Sequence, residues 1–455
     1  MSRKGDETLR TSRRGFFAKT AGLVAAGAGL DGVPTTKAQA ETQTPTDRQG
    51  PTQIEPFWGE HQGGIITPAQ KHTYFLTFDL TTGDRREVAN LLQAWTAAAA
   101  RMAQGQTAQA LDGNLQPVMA AGGDQPGAYD GYEASNLSGV AADTGEALGL
   151  SPSRLTITFG FGAGLFTKDG KDRYGLARHR PTALVDMPQF VGDQLVEAHT
   201  GGDLSVQACA DDQQVAFHAV RQLARLGADV AKMRWARAGF IANYADDETP
   251  RNLMGFKDGT VNPSVSDPRA MQEAIWAGAE GPAWMRGGTY LAVRRIRIAL
   301  EHWDRMKTAF QEQTIGRRKY SGAPLGKTRE SDAVDLDATD SSGNPIIPEH
   351  AHIRLAAPAS NNGAQLLRRP YSYNDGVDFT AERWPPWRQG LEYDAGLLFI
   401  TYQRDPRTGF IKIFDKLSKL DMMNQFVTHV GSGLFACPPG AAQGRFIGQD
   451  LFETA

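Results

Sequence analysis

Residues 72–78 read His-Thr-Tyr-Phe-Leu-Thr-Phe, and this near alternation of polar and apolar side chains predicts a strand. Thr82-Gly83-Asp84 then opens a helix, in which Val88, Leu91, Leu92 and Trp95 fall at helical spacing. Residues 155–159 and 203–209 read as two further strands, 215–226 as a second amphipathic helix, and 232–238 as a fourth strand. The pattern then repeats. Residues 289–296 predict a strand, 303–314 a helix, 395–402 and 410–414 two strands, 417–430 a helix and 433–437 a closing strand. The order β-α-β-β-α-β therefore occurs twice, the ferredoxin-like arrangement, with the two sheets expected to pack on each other and the helices outside. The repeat is one of pattern and not of sequence identity.

Two long connections interrupt this pattern. Residues 239–288 join the halves, and residues 315–394 separate the first helix of the second half from its next strand. Connections of this length in a compact domain are usually functional. Before the first strand, residues 12–17 read Ser-Arg-Arg-Gly-Phe-Phe, a Gly/Ala-rich apolar run covers 21–30, and Ala38-Gln39-Ala40 offers a cleavage site. This resembles a twin-arginine export signal, and it predicts a periplasmic protein. The apolar run has about half the length that a membrane span requires, so no permanent anchor is expected. The expected division is a signal over 1–40, a polar tether over 41–60, and two domains over 61–245 and 246–455.

Composition narrows the classes of function. Among 455 residues, 40% are hydrophobic and 22% charged, as in ordinary globular proteins. The net charge is −3, and the first 40 residues carry seven Lys/Arg against three Asp/Glu, so the remainder stands at −7. A mildly acidic body argues against general binding to nucleic acid. The two cysteines, Cys209 and Cys437, form no C-x-x-C or C-x-x-C-H, which removes thioredoxin-like chemistry, cysteine-held zinc and covalently attached c-type haem. Isolated cysteines of this kind are more often buried thiols than a disulfide.

The chemical candidates lie in the long connections. The first contains Gly255-Phe256-Lys257-Asp258-Gly259-Thr260-Val261-Asn262-Pro263. On its own this is a turn signature, although the glycines would let backbone approach a flat ligand. The second contains His350-Ala351-His352-Ile353-Arg354-Leu355-Ala356-Ala357-Pro358 and, further on, Leu367-Arg368-Arg369-Pro370. His-x-His suggests a metal pair, but no further ligand stands at a recognisable spacing. An arginine pair reads equally as a salt-bridged or solvated group.

Taken in order, these blocks resemble the signature of the dye-decolorising (DyP-type) haem peroxidases. The resemblance runs through Gly255-x-x-Asp258-Gly259, Gly316-Arg317, Ser321 to Gly326, His352 to Ala356, Leu367-Arg368-Arg369 and Gly396 to Phe399, in the spacing of the exported EfeB-type branch. It implies an α+β fold of two ferredoxin-like domains packed as a dimeric α+β barrel, with non-covalent haem b in the second. It implies His352, not His350, as iron ligand, with Asp394 as the acceptor for its other nitrogen. Asp258 would move a proton between the peroxide oxygens and Arg368 would stabilise the leaving oxygen. Gly259, Thr260, Val261, Ala357, Pro358 and Ala359 would line the haem, and Leu397 and Phe399 would form an apolar distal wall. Pro370 departs from the family, where a hydrogen-bonding residue or glycine is more frequent.

The implied activity is reduction of hydrogen peroxide with one-electron oxidation of phenols, dyes or similar donors through a ferryl state. Two other readings remain: release of iron from haem (deferrochelatase) in company with iron-uptake components, and a non-enzymatic haem carrier, against which Asp258 and Arg368 speak. A homodimer is compatible with the sequence. Trp387, Tyr393 and Tyr402 are the candidates for carrying electrons from bulky donors.

Overall fold

The structure is a computed structural model that describes residues 54–110, 142–242, 248–381 and 389–453. The expected export signal, most of the tether and Trp387 lie outside these residues. In the N-terminal half, β1 (His72–Leu80) leads into α1 (Arg85–Met102), followed by β2 (Thr156–Gly162), β3 (Leu204–Ala210), α2 (Gln213–Leu226) and β4 (Ala231–Phe240). Asp84 and Asp212 cap the two helices by accepting hydrogen bonds from backbone N–H groups of their first turns. In the C-terminal half come β5 (Thr289–Ile298), α3 (Thr308–Ile315), α4 (His352–Ala356), β6 (Leu367–Arg368), β7 (Tyr371–Ala381), β8 (Gln389–Gln403), α5 (Phe410–Leu420) and β9 (Val427–Cys437).

Each half forms a four-stranded antiparallel sheet of the ferredoxin-like kind. The orders are β4-β1-β3-β2 and β9-β5-β8-β7, with β6 continuing the line of β7 along β8. The sheets also meet at both edges. Phe161 and Gly162 pair with Ala436 and Phe435, and Phe240 pairs with Ser372, which closes a barrel. Its interior holds Phe75, Leu291, Leu398, Ile400, Tyr402 and Phe435, drawn from both sheets. Burying such side chains stabilises the fold by roughly 1.5–3 kcal/mol each relative to exposure. Cys209 and Cys437 are both buried free thiols. None of the helices among the described residues is long and apolar enough to cross a membrane.

The second half departs from the pattern reading in three places, the first being the helix expected over 303–314, which is interrupted after Trp303 and resumes only at Thr308. Residues 410–414 open α5 and form no strand, and the helix ends at Leu420, with β9 starting at Val427. The short apolar run Phe-Ile-Lys-Ile-Phe does not alternate, and length alone leaves it open between a buried strand and a helix. The longer register Phe410, Ile413, Phe414, Leu417, all facing one cavity, decides for the helix. The supposed long connection over 315–394 also contains β7. Its alternation is broken at Asn374-Asp375-Gly376, where the register with β8 shifts.

Period two along β8 sets up the site. Leu398, Ile400 and Tyr402 point into the barrel, so Leu397 and Phe399 point outward, toward α4 and α5.

Candidate active site

A cavity of about 450 Å³ lies against the outer face of the C-terminal sheet, and its lining residues all fall between Asn252 and His429. Ile296 and Ile298 of β5, Leu397 and Phe399 of β8, and Phe410, Ile413, Phe414 and Leu417 of α5 make its walls apolar. The volume is within the roughly 300–1,000 Å³ usual for cofactor pockets. Asp258, Gly259, Thr260, Val261, His352, Ala357, Pro358, Ala359, Arg368, Leu397 and Phe399 all line it, and Asp394, expected beside the iron ligand, does not.

His352 is the first residue of α4, which packs tightly on the end of α3. There Gly316 takes a positive φ of 92°, and a side-chain carbon in its place would come within 2.6 Å of Ile353. The imidazole Nδ1–H donates to Asp421 Oδ2 at 2.6 Å, which leaves Nε2 as the nitrogen available to a ligand in the cavity. Burial disfavours the charged ring, but the Asp421 carboxylate outweighs it and the pKa is raised above the ordinary 6.5. Asp421 is itself fixed, because its other oxygen accepts the Met423 backbone N–H at 2.8 Å. His350 is exposed and lines no part of the cavity.

Asp394 is therefore not the partner of His352. It accepts from Arg295 at 2.6 Å and stands 3.5 Å from the Tyr373 hydroxyl. Asp394 lies three positions from Leu397, an odd step that turns it away from the cavity in a regular strand. Reading 417–430 as one helix hid Asp421, which instead caps the turn between α5 and β9. An Asp beside a helix end was the available signal.

On the loop before the C-terminal sheet, Gly259 at φ 114° turns the chain immediately after Asp258. Asp258 Oδ1 accepts from Arg368 at 3.2 Å, and Oδ2 stands 3.4 Å from Asn252 Nδ2. The charges of both Asp258 and Arg368 are felt at His352, so the three groups share one electrostatic space. Arg369 takes the opposite direction. Its buried guanidinium donates to Thr67 O and Gln70 Oε1 of the N-terminal half. Arg317 supplies a second cation to the cavity wall, held by the carbonyls of Gly322 (2.7 Å) and Glu330 (3.2 Å). Burial lowers its pKa, and the neighbouring Arg368 acts in the same sense.

His429, on β9, lines the cavity against the Phe414 ring at 4.5 Å. Burial holds its pKa well below the ordinary value, helped by the nearby Arg294 cation, and its Nδ1 has no partner among the described residues. Sequence reasoning did not find Asp421, Arg317 in its place on the wall, or His429. The donor set suits haem: apolar walls for the ring faces, one imidazole already oriented through its second nitrogen, and an acid–arginine pair in the same cavity.

Comparison with known proteins gives one family over both halves. Residues 62–241 match the model for "Dyp-type peroxidase, N-terminal", and residues 249–442 the model for "Dyp-type peroxidase, C-terminal". A dye-decolorizing peroxidase of Thermobifida fusca is 36% identical over the whole of both chains. A deferrochelatase of Escherichia coli is 35% identical over 88% of this chain and 86% of its own. Among solved structures, ferric DtpA of Streptomyces lividans is 38% identical, with a TM-score of 0.75 covering 89% of this chain and 100% of that one.

Proposed function

The chain belongs to the Dyp-type peroxidase family and is a haem peroxidase; from that premise we propose that His352 is its iron ligand and that Asp258 and Arg368 are the groups that handle peroxide. The observation that carries the assignment is the convergence of these three side chains on one apolar cavity, with the Nδ1–H of His352 committed to Asp421.

Bound haem supplies the iron and the ring electrons that reduce peroxide. The protein does the rest. The Asp258 carboxylate takes a proton from one peroxide oxygen and returns it to the other, so that the second leaves as water. The Arg368 guanidinium, 3.2 Å from Asp258, stabilises the charge developing on that leaving oxygen. Asp421 keeps the ligand imidazole electron-rich and correctly turned. Arg317, a cation on the cavity wall, would pair with a haem carboxylate. Leu397 and Phe399 close the peroxide side to bulky molecules, so two donors each give one electron without entering it. Phenols and dyes are the donor class this reading favours, and the haem-holding unit is the domain over 246–455. Export through a twin-arginine signal to the periplasm belongs to the same reading and rests on residues 12–40.

The test is an absorption spectrum before and after one equivalent of peroxide, on wild type and two variants. Asp258→Asn and Arg368→Leu keep the Soret band but slow its change by about 10²–10⁴-fold, with the arginine change costing at least as much. Wild-type rates in both variants remove these residues from the mechanism. A second reading, release of iron from haem, is favoured by the deferrochelatase relatives. Incubation with haem and a search for intact protoporphyrin separates the two.

A further inference from the structure

We infer that Asn262 is a positioning residue that holds Arg368 in register with Asp258 by standing in for a missing strand. The inference rests on the assignment of Arg368 to peroxide chemistry.

Arg368 lies on a strand of two residues at the end of the strand order. On one side β6 pairs with β8, with Leu367 opposite Tyr402 and Arg368 opposite Thr401. The next residue continues this ladder, since Arg369 N–H donates to Ile400 O at 2.8 Å. By the alternation of an antiparallel pair, the N–H and C=O of Arg368 then face away from β8. No strand lies on that side among the described residues. Pro370 faces the same side as Arg368 and has no N–H to offer there. A two-residue edge with unpaired backbone is a poor mount for a guanidinium whose position matters.

The Asn262 carboxamide fills that gap. Its Nδ2 donates to Arg368 O at 2.7 Å, and its Oδ1 accepts from Arg368 N–H at 3.1 Å. One side chain thus satisfies both backbone groups of one residue, as a neighbouring strand would. The two bonds also fix which end of the amide is which. Asn262 belongs to the Asp258 loop, where its own N–H donates to Gly259 O at 3.1 Å to close a tight turn. Pro263 restricts the Asn262 backbone further. The Asp258–Arg368 pair is therefore joined twice, once through its charges at 3.2 Å and once through Asn262 to the arginine main chain. Without the second link, the arginine is held by the ladder with β8 on one side and by its contact with Asp258.

The experiment uses the haem-loaded protein with Asn262→Ala, Asn262→Asp and Arg368→Leu. Asn262→Ala reacts with peroxide on the order of 10²-fold more slowly, as a misplacement of about 1 Å commonly costs. Its haem content stays at the wild-type level. It also binds fluoride at the ferric haem more weakly, in the same direction as Arg368→Leu, because both remove a placed cation from the bound anion. Asn262→Asp sets a carboxylate against the Arg368 carbonyl, so its deficit relative to wild type is largest near pH 7 and shrinks toward pH 4 as the introduced carboxyl gains a proton to donate. A purely structural role moves thermal stability but neither fluoride affinity nor this pH dependence. If Arg368→Leu is impaired while both Asn262 variants match wild type in peroxide rate and fluoride affinity, the positioning role is wrong. If Arg368→Leu itself matches wild type, the assignment of Arg368 falls, and the role of Asn262 with it.

Discussion

Replacing Asp421 by Asn tests the proximal side of the cavity with almost no change of shape. The two carboxylate oxygens have separate duties, one accepting His352 Nδ1–H at 2.6 Å and the other accepting Met423 N–H at 2.8 Å. An amide has only one acceptor, so either the imidazole or the backbone N–H loses its partner in a site where Asp421 is 4% exposed. A hydrogen bond to a charged group contributes about 1.5–3 kcal/mol, which is roughly a 10–100-fold change in an equilibrium at about 1.4 kcal/mol per decade. Loss of such an outer partner typically lowers metal affinity or activity by the same 10–100-fold. Asp421→Asn should therefore bind haem about 10–100-fold more weakly, measured by titrating apoprotein and following the Soret band. Its iron reduction potential should rise, because the imidazole is no longer polarised by a full negative charge. Asp394→Asn is the control. It breaks the pair with Arg295 and should change stability without changing haem affinity. If Asp394→Asn weakens haem binding and Asp421→Asn does not, the proximal assignment is refuted.

His352→Ala should lose haem or hold it weakly, whereas His350→Ala should retain it; a reversal in the Soret titration overturns the ligand assignment. His429 bears on acid stability. Its folded pKa is depressed, so as pH falls below the ordinary 6.5 the unfolded chain takes up a proton that the folded one refuses. Stability then falls by up to about 1.4 kcal/mol per pH unit from this group alone. Urea unfolding at pH 7 and pH 5 should show a smaller acid loss in His429→Leu than in wild type, and equal losses count against the burial argument. Tyr393 is half exposed on β8, whereas Tyr402 is fully buried and donates to Gln207 at 2.5 Å. Tyr393→Phe should lower turnover of a bulky dye while leaving a small phenol unaffected. Unchanged rates for both remove Tyr393 from electron transfer.

The first round of β-α-β-β-α-β is legible segment by segment because burial writes period two or 3.6 into the chain, whereas in the second the pattern misses β7 and assigns 410–414 to a strand. His352, Asp258 and Arg368 are singled out by the family resemblance of the blocks that hold them; read alone, those blocks are a turn, an incomplete metal pair and a solvated or paired arginine couple. Their convergence was decided elsewhere. Five residues are too few to decide between a buried strand and a helix, and the choice is made over the longer register in which α5 covers the cavity. That same ambiguity concealed Asp421, which is 69 residues from His352 and becomes its partner only when the end of α5 meets the start of α4. Asn262 and Arg368, 106 residues apart, likewise meet only because β6 lies at a sheet edge. Sequence periodicity records what each segment buries, while the directions of hydrogen bonds between distant segments depend on register and strand order, which exist only once the sheets have closed.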